Sequence, residues 1–397
     1  MQIQKIKNIF WHYPKNIIAN LAYGFPSRRL TLIGVTGTDG KTTTCVLIHK
    51  ILENANIKSG LLTTINSPGL HTTSPNATYL QKTFLKLVQK NITHCVCEVT
   101  SHSLDQYRFL GCRFFVSAIT NISHEHLDYH HTLMQYILTK AKLFKQSKYS
   151  ILNKDDKSFS IIKPFCKNLT TYSLKNVKNI KITPTKLSFQ YDGLDFVTDS
   201  PYEYLINNIL VAYHICKKLN IDSKILLDTI KKFPETKGRR EEINNSFQFK
   251  TIIDFAHTPA GLERTLSSLK KTTKGKLIVI FGATGGRDKS KRPIMGKVVS
   301  QLADIAYITS DDTRNEDIED INQQIISGIV PSNNFSYFNI PNRQNAFNEA
   351  IKIAKPNDTI IACGKGHENT ILHGYTEYPW SEADAFRTAF RQRSKSV

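Results

Sequence analysis

The run Thr36-Gly37-Thr38-Asp39-Gly40-Lys41-Thr42-Thr43 carries the residue types that handle phosphate. Glycines at 37 and 40 let backbone N–H groups approach phosphate oxygens, and a helix opening here would add the partial positive charge of its N-terminus. Lys41 can neutralise β- and γ-phosphate oxygens, and the Thr42 hydroxyl can ligate Mg²⁺. The general spacing of such loops wants glycine where Val35 stands, so an ordinary glycine turn beside a lysine is the bland alternative. Glu98 closes an apolar run, where a carboxylate can hold Mg²⁺ beside the loop or can simply be solvated. His124, His126, His130 and His131 crowd one short stretch. Zinc would use such a group, but no cysteine or second motif supports it.

Chemistry of this kind needs elements that hold it. Leu30 to Val35 reads as a buried strand running into the glycine turn, and Val46, Leu47, Ile48, Ile51 and Leu52 follow at helical spacing. Further strands are predicted at 92–99, 114–119 and 150–153, a helix over 133–144, β hairpins within 171–200 and a helix over 206–219. Strands alternating with helices imply a mostly parallel sheet covered on both faces. A polar Pro/Gly stretch, Phe233 to Gly238, marks a boundary. A second α/β series follows, with strands at 250–254, 276–281, 304–309 and 359–363. The expected organisation is a short N-terminal segment or linker remnant (1–30), a central ATP-binding domain (31–237) and a C-terminal domain (238–397). The fold class is α/β, a central P-loop ATPase-like domain followed by a Rossmann-like α/β domain.

The segment Gly34 to Thr43 resembles the phosphate loop of the Mur ligase family, where Asn usually takes the place of Asp39. Other motifs match in family order: Glu98-Val99-Thr100-Ser101-His102, Asn121-Ile122-Ser123-His124-Glu125-His126, Asp254-Phe255-Ala256-His257 and Gly364-Lys365-Gly366-His367-Glu368. The resemblance runs from about residue 22 to the end and points to the member that adds the third amino acid to the peptidoglycan peptide. It implies that ATP activates a peptide carboxylate as an acyl-phosphate, and that an amino acid's amine then displaces phosphate. It also implies ATP contacts at Gly37 through Thr43, Asn121, Asn208 and Asp254, with Mg²⁺ held by Thr42, Glu98, His124 and a carbamylated lysine. That lysine aligns with Lys140, not Lys142; without the family motif a helical surface lysine would be the default. Arg239, in Gly238-Arg239-Arg240-Glu241, would act with Lys41 on the γ-phosphate. Before Asn208 the usual Gly-x-Phe-Asn is replaced by Pro201-Tyr202-Glu203-Tyr204-Leu205.

Acceptor contacts are implied at Thr72, Thr73, Thr100, Gln106 and Arg108, matching positions that touch the uridylate and sugar-phosphate part in the family. Members carry a first, uridine-nucleotide-binding domain of which residues 22–30 resemble only the closing linker. Three expectations stay open: the acceptor is held by the remaining domains, a partner chain supplies the missing one, or the acceptor has no UDP. For the incoming amino acid, Asp311-Asp312-Thr313-Arg314 stands where diaminopimelate-adding members have Asp-Asn-Pro-Arg. The Arg314 fork suits the extra carboxylate that distinguishes diaminopimelate from lysine. Arg287, Gly364 and Glu368 complete the matched pocket, and a structural salt bridge is the alternative for Arg314.

Composition bounds these readings. At 397 residues, 40% hydrophobic and 22% charged, the chain is globular and long enough for two domains. No run is long and apolar enough for a spanning helix, no leader pattern opens the sequence, and seven scattered cysteines suit a reducing, cytoplasmic compartment. The formal charge of +20 attracts polyanions, but the cations are spread without a nucleic-acid-binding signature. The expected partners are therefore small molecules, with neither nucleic acid nor membrane. The rivals are a ligase adding lysine or glutamate to another acceptor, a nucleic-acid-dependent ATPase, and a non-catalytic scaffold.

Overall fold

The apolar run before the glycine turn forms β1 (Thr31–Thr36), buried along nearly its whole length as a strand covered on both faces must be. A computed structural model describes residues 2–65, 75–123, 125–183, 185–233 and 236–395. They fall into two units, Met1–Pro234 and Glu235–Val397.

In the first unit β1 is joined by β2 (Ser59–Leu62), β3 (His94–Glu98), β4 (Phe114–Ile119), β5 (Ser147–Asn153) and β6 (Leu169–Tyr172). The order is β2-β3-β1-β4-β5-β6, parallel throughout. The register pairs Val35 with Glu98 and Thr36 with Ile119, so the C-terminal ends of β1, β3 and β4 lie level. Two cores form on this sheet. One packs Ile48 and Ile51 of the Lys41–Asn54 helix and Leu210 and Ile215 of the Leu205–Lys218 helix with Val35 and Val96. The other packs Phe84, Leu143 and Phe144 with Leu32 and Cys95.

The hairpins expected within 171–200 occur as β7 (Lys178–Ile182), β8 (Leu187–Tyr191) and β9 (Leu194–Thr198), an antiparallel sheet with a tight Asp192-Gly193 turn. Residues 169–172 instead extend the parallel sheet beside β5. The short N-terminal segment is helical over much of its length: Gln2–Lys7, a π-helical turn Asn8–His12, and Tyr13–Ala22.

The second unit orders β10 (Arg239–Glu242), β11 (Lys250–Asp254), β15 (Thr359–Cys363), β12 (Leu277–Phe281), β13 (Ile305–Ile308) and β14 (Ser336–Asn339) in one sheet. Only β10 runs antiparallel to its neighbour, β11. A separate ribbon, β16 (Thr370–His373) with β17 (Thr376–Pro379), follows β15. The loops after β11, β12, β13 and β15 carry the residues singled out from the sequence, as open parallel sheets dispose their ligand sites. Among the described residues no helix is long and apolar enough to cross a membrane.

Candidate active site

Between β1 and the Lys41–Asn54 helix the phosphate loop turns on two glycines with left-handed backbone, Gly37 (φ 143°) and Gly40 (φ 80°). A Cβ on Gly37 would come within 1.9 Å of Thr120 Oγ1, and one on Gly40 within 2.4 Å of Asn208 Oδ1. Both positions therefore require glycine for conformation and for space.

The loop is pinned from its neighbours. Asp39 N–H donates to Asn121 Oδ1 (3.1 Å), Asn121 Nδ2 donates to the Asp39 carbonyl (3.0 Å), and Thr120 Oγ1 donates to the same carbonyl (2.6 Å). Thr38 N–H donates to the Asn121 carbonyl, and the Thr38 and Tyr136 hydroxyls lie 3.2 Å apart. Asn121 thus positions the loop itself. Asn208, buried on its helix, abuts Gly40.

Lys41 opens the helix, its amine donating to the Thr38 carbonyl (2.7 Å) and standing 4.0 Å from Glu98 Oε1. The Thr42 hydroxyl donates to Glu98 Oε2 at 2.8 Å, and Thr43 is buried in the same turn. A hydroxyl and a carboxylate at a helix N-terminus, beside a lysine, are the donor set a hard cation and a phosphate chain require. Mg²⁺ with a nucleoside triphosphate fits these residues.

Two lysines two positions apart separate sharply. Lys142 is partly exposed and pairs with Asp105 at 2.9 Å. Lys140 is 1% exposed, donates to the Gly37 carbonyl (2.8 Å) and lies over the Tyr136 ring. Burial, with the Lys41 cation, holds its amine well below the usual lysine range, against the pull of Glu98, Asp39 and Glu125. His130 is pushed down to about 3 by burial and by His102, and sits 2.9 Å from the Ser101 hydroxyl. The His102, His126 and His130 rings pack with one another and with Tyr129. His124, Thr72 and Thr73 lie outside the described residues.

Of the remaining acceptor candidates, Thr100 caps the helix after β3 by accepting from Ser103 N–H at 3.2 Å. Gln106 Oε1 accepts from Arg108 Nε (3.1 Å) and Nη2 (2.7 Å), which fixes the guanidinium.

In the second unit Arg239, at the start of β10, lies over the Phe255 ring at 4.2 Å. The oxygens of Asp254 accept from Arg240 N–H (2.9 Å) and Ala256 N–H (2.8 Å), and burial raises its carboxyl against Arg240 and Arg239. After β13, Asp311 and Asp312 meet the Gly364–Glu368 loop. Lys365, 1% exposed, donates to Asp312 Oδ1 (2.7 Å) and pairs with Glu368 (2.5 Å). Burial works to raise Asp311, but Lys365 and Arg343 outweigh it and hold the carboxyl low. Burial raises Glu368, with Lys365 opposing. A Cβ on Gly364 would come within 2.6 Å of Asp311 Oδ2, so the two loops touch.

Thr313 Oγ1 stands 3.1 Å from His373 Nδ1, and Arg314 (φ 51°) bridges to His373 of β16. Thr313, Arg314, Glu316, Asn342, His373 and Trp380 contribute to the wall of a cavity of about 430 Å³. That is the size of an amino-acid or small-ligand pocket. Arg287 is exposed on the loop after β12 and does not line this cavity.

Sequence reasoning missed what fixes that loop. Arg292, fully buried, donates to both Glu316 oxygens (2.9 and 3.2 Å), to Gln324 Oε1 (2.9 Å) and to the Thr284 carbonyl (3.2 Å). Glu316 also accepts from Gly286 N–H, and Arg292 above all, despite burial, pulls its carboxyl down to about 2. Arg292 sits in the polar run Asp288-Lys289-Ser290-Lys291-Arg292, which carries no periodic sign of burial.

A phosphate loop at the ends of one parallel sheet, and a charged cavity at the ends of a second, define a nucleotide-dependent enzyme of two α/β units. The Mur ligase middle domain matches residues 35–216, and the Mur ligase glutamate ligase domain matches residues 238–366. The chain belongs to the Mur ligase family, whose members are ATP-dependent ligases. It is 38% identical over 373 residues to the UDP-N-acetylmuramoyl-L-alanyl-D-glutamate--2,6-diaminopimelate ligase of Clostridium botulinum, covering 89% of this chain and 76% of that one. Identity to ligase 1 of the same name from Clostridium acetobutylicum is 40% over 370 residues, with the same coverages of 89% and 76%. A solved structure of a UDP-N-acetylmuramoyl-L-alanyl-D-glutamate--2,6-diaminopimelate ligase superposes with a TM-score of 0.63 at 27% identity, covering 95% of this chain and 82% of that one.

Proposed function

We propose that this chain joins the amino group of meso-diaminopimelate to the terminal carboxylate of a UDP-N-acetylmuramoyl dipeptide at the expense of ATP, in the cytoplasm. The relatives of that activity cover most of the chain. The observation that carries the choice of amino acid is the cavity wall, where Arg314 stands beside Thr313 and His373.

In this reading the acceptor carboxylate attacks the γ-phosphorus, ADP leaves, and an acyl-phosphate results. The amine then attacks the carbonyl carbon, and phosphate leaves from the tetrahedral intermediate. Lys41 and the N–H groups of the Gly37–Thr43 turn hold the phosphates as charge shifts along the chain. Bound Mg²⁺ supplies charge neutralisation, and Thr42 and Glu98, with His124, are the residues that would hold it. Arg239 would be the residue to offer a guanidinium to the γ-phosphate. Asn208 and Asp254 would serve the rest of the nucleotide.

Lys140 is the residue for carbamylation. Burial and the Lys41 cation pull the Lys140 amine down from the usual lysine range, which favours the neutral form that adds CO₂, giving a carbamate and one released proton, and so a carboxylate-like ligand in place of a cation. Thr72, Thr73, Thr100, Gln106 and Arg108 would face the uridylate and sugar-phosphate part of the acceptor. Asp311, Asp312, Thr313, Gly364 and Glu368 would complete the amino-acid site, with Arg314 on the distal carboxylate and Glu368 on the distal ammonium, whereas Arg287 stands off the cavity wall.

Phosphate release from ATP, measured with a panel of amino acids, with and without UDP-muramyl dipeptide, tests this. Release should require the dipeptide together with meso-diaminopimelate. Equal kcat/KM for lysine and diaminopimelate would defeat the amino-acid assignment alone. Release driven by nucleic acid would defeat the ligase reading.

A further inference from the structure

The N-terminal helical segment is amphipathic in the inverted sense. Its asparagines Asn8, Asn16 and Asn20 face the protein, and its large apolar side chains from Ile9 to Leu21 face away. Asn8 Nδ2 donates to Asp105 Oδ2 (2.7 Å), Asn16 Nδ2 to the Gln106 carbonyl (2.7 Å) and Asn20 Nδ2 to the Leu110 carbonyl (2.9 Å). All three asparagines are buried. The wider π-helical turn at Asn8–His12 slows the rotation of the helix, which brings Asn8 onto the face of Asn16 and Asn20. Three amides thus dock the helix on the 105–110 segment through its polar side.

The opposite side is left with Ile9, Phe10 (75% exposed), Trp11 (63%), Ile17, Ile18 (64%) and Leu21 (63%). Scattered exposed apolar residues need no explanation, but a contiguous group of this size marks a contact surface. Its surroundings say of what kind. The first acidic residue of the chain is Asp39, whereas Lys5, Lys7, Lys15, Arg28 and Arg29 precede it. Lys7, Lys15, Arg28 and Arg29 are exposed. Aromatic and branched apolar side chains on a segment whose own charged side chains are all cations match the interface of an anionic bilayer, with rings at headgroup depth and ammonium groups among the phosphates.

We propose that this face seats the protein on the surface of an anionic phospholipid bilayer, the Gln2–Ala22 helical segment lying in the interface plane. Contact of this kind needs no spanning run, so it amends the expectation of no membrane partner without calling for a transmembrane segment. The asparagine face keeps the helix fixed to the body while its apolar face is in lipid. An interfacial helix of ordinary polarity would have to leave the protein to do the same.

The test is sedimentation of the full-length protein with phosphatidylcholine vesicles, with and without phosphatidylglycerol. Wild type should partition onto the anionic vesicles at least about tenfold better than Phe10→Glu/Ile18→Glu, and raised salt should weaken it. Lys7→Gln/Lys15→Gln changes surface charges alone and should show an intermediate loss. ATP turnover in solution should be the same in all three proteins, because none of these residues belongs to the phosphate loop or the amino-acid cavity. No preference of wild type for anionic vesicles, or equal partition of wild type and the glutamate variant, overturns the proposal. Self-association in sedimentation velocity that the glutamate variant abolishes, without vesicle binding, assigns the face to a second copy and overturns it too.

Discussion

Arg292→Met removes a guanidinium and keeps most of its volume, so the consequences fall on Glu316 and the loop it holds. In the wild type Glu316 has an ordinary value of 4.5 brought down to about 2, chiefly by Arg292. A difference of that size corresponds to roughly 3 kcal/mol of preference for the charged form in the folded state. The carboxylate is partly exposed and keeps Lys289 at 3.1 Å, so about 2 kcal/mol is a fair loss on removing Arg292. The sign of the pH dependence follows. A carboxyl depressed by folding stabilises fully above about 4.5 and loses that contribution as pH falls toward 2. Urea unfolding at pH 7 should therefore put the variant about 2 kcal/mol below wild type, with the gap narrowing as pH drops from 5 toward 3. Because Glu316 also accepts from Gly286 N–H and shares a loop with Arg314, the KM for the amino acid should rise several-fold while that for ATP stays put. A gap below about 0.5 kcal/mol, or one constant from pH 7 to 3, would refute the reasoning.

Gly40→Ala should weaken ATP binding at least about tenfold and cost about 1–3 kcal/mol of stability, because a left-handed alanine would also drive into Asn208. Nucleotide titration and thermal unfolding of the same sample check both. Lys140→Ala should abolish ligation, and acetate or formate should restore part of it whereas bicarbonate should not; no rescue by any short carboxylate counts against a carbamate at this position. Arg314→Ala should reduce the preference for meso-diaminopimelate over lysine by about 30-fold or more, mainly through KM, since pairing a desolvated carboxylate is worth about 2–5 kcal/mol. Steady-state kinetics on both amino acids reads this directly, and an unchanged ratio removes Arg314 from the specificity assignment.

Local chemistry was legible in the sequence because it is written locally. The glycine spacing around Lys41, the buried run before it and the helical pattern after it specify strand, turn and helix within some twenty residues, and the structure builds them there. The alternation of strands and helices fixed the α/β class, and the strands at 114–119, 250–254 and 359–363 occur at the expected residues. The hairpin reading of 171–200 overran by one element. A short run such as 169–172 does not state whether it pairs with its neighbour in sequence or with β5.

What needed the tertiary structure was every decision made between distant residues. That Lys140 is enclosed behind the phosphate loop while Lys142 reaches Asp105 depends on which face of one helix meets the sheet, and two lysines within one turn look alike without it. Arg292 and Glu316, charged residues in polar runs, read as surface until the fold brings them together and buries the guanidinium, where pairing makes burial tolerable. The N-terminal helix escaped notice for the converse reason. Asn8, Asn16 and Asn20 turn inward while Ile9, Phe10, Trp11, Ile17 and Ile18 turn outward, so hydrophobic periodicity, which assumes apolar side chains seek the core, had no purchase on it.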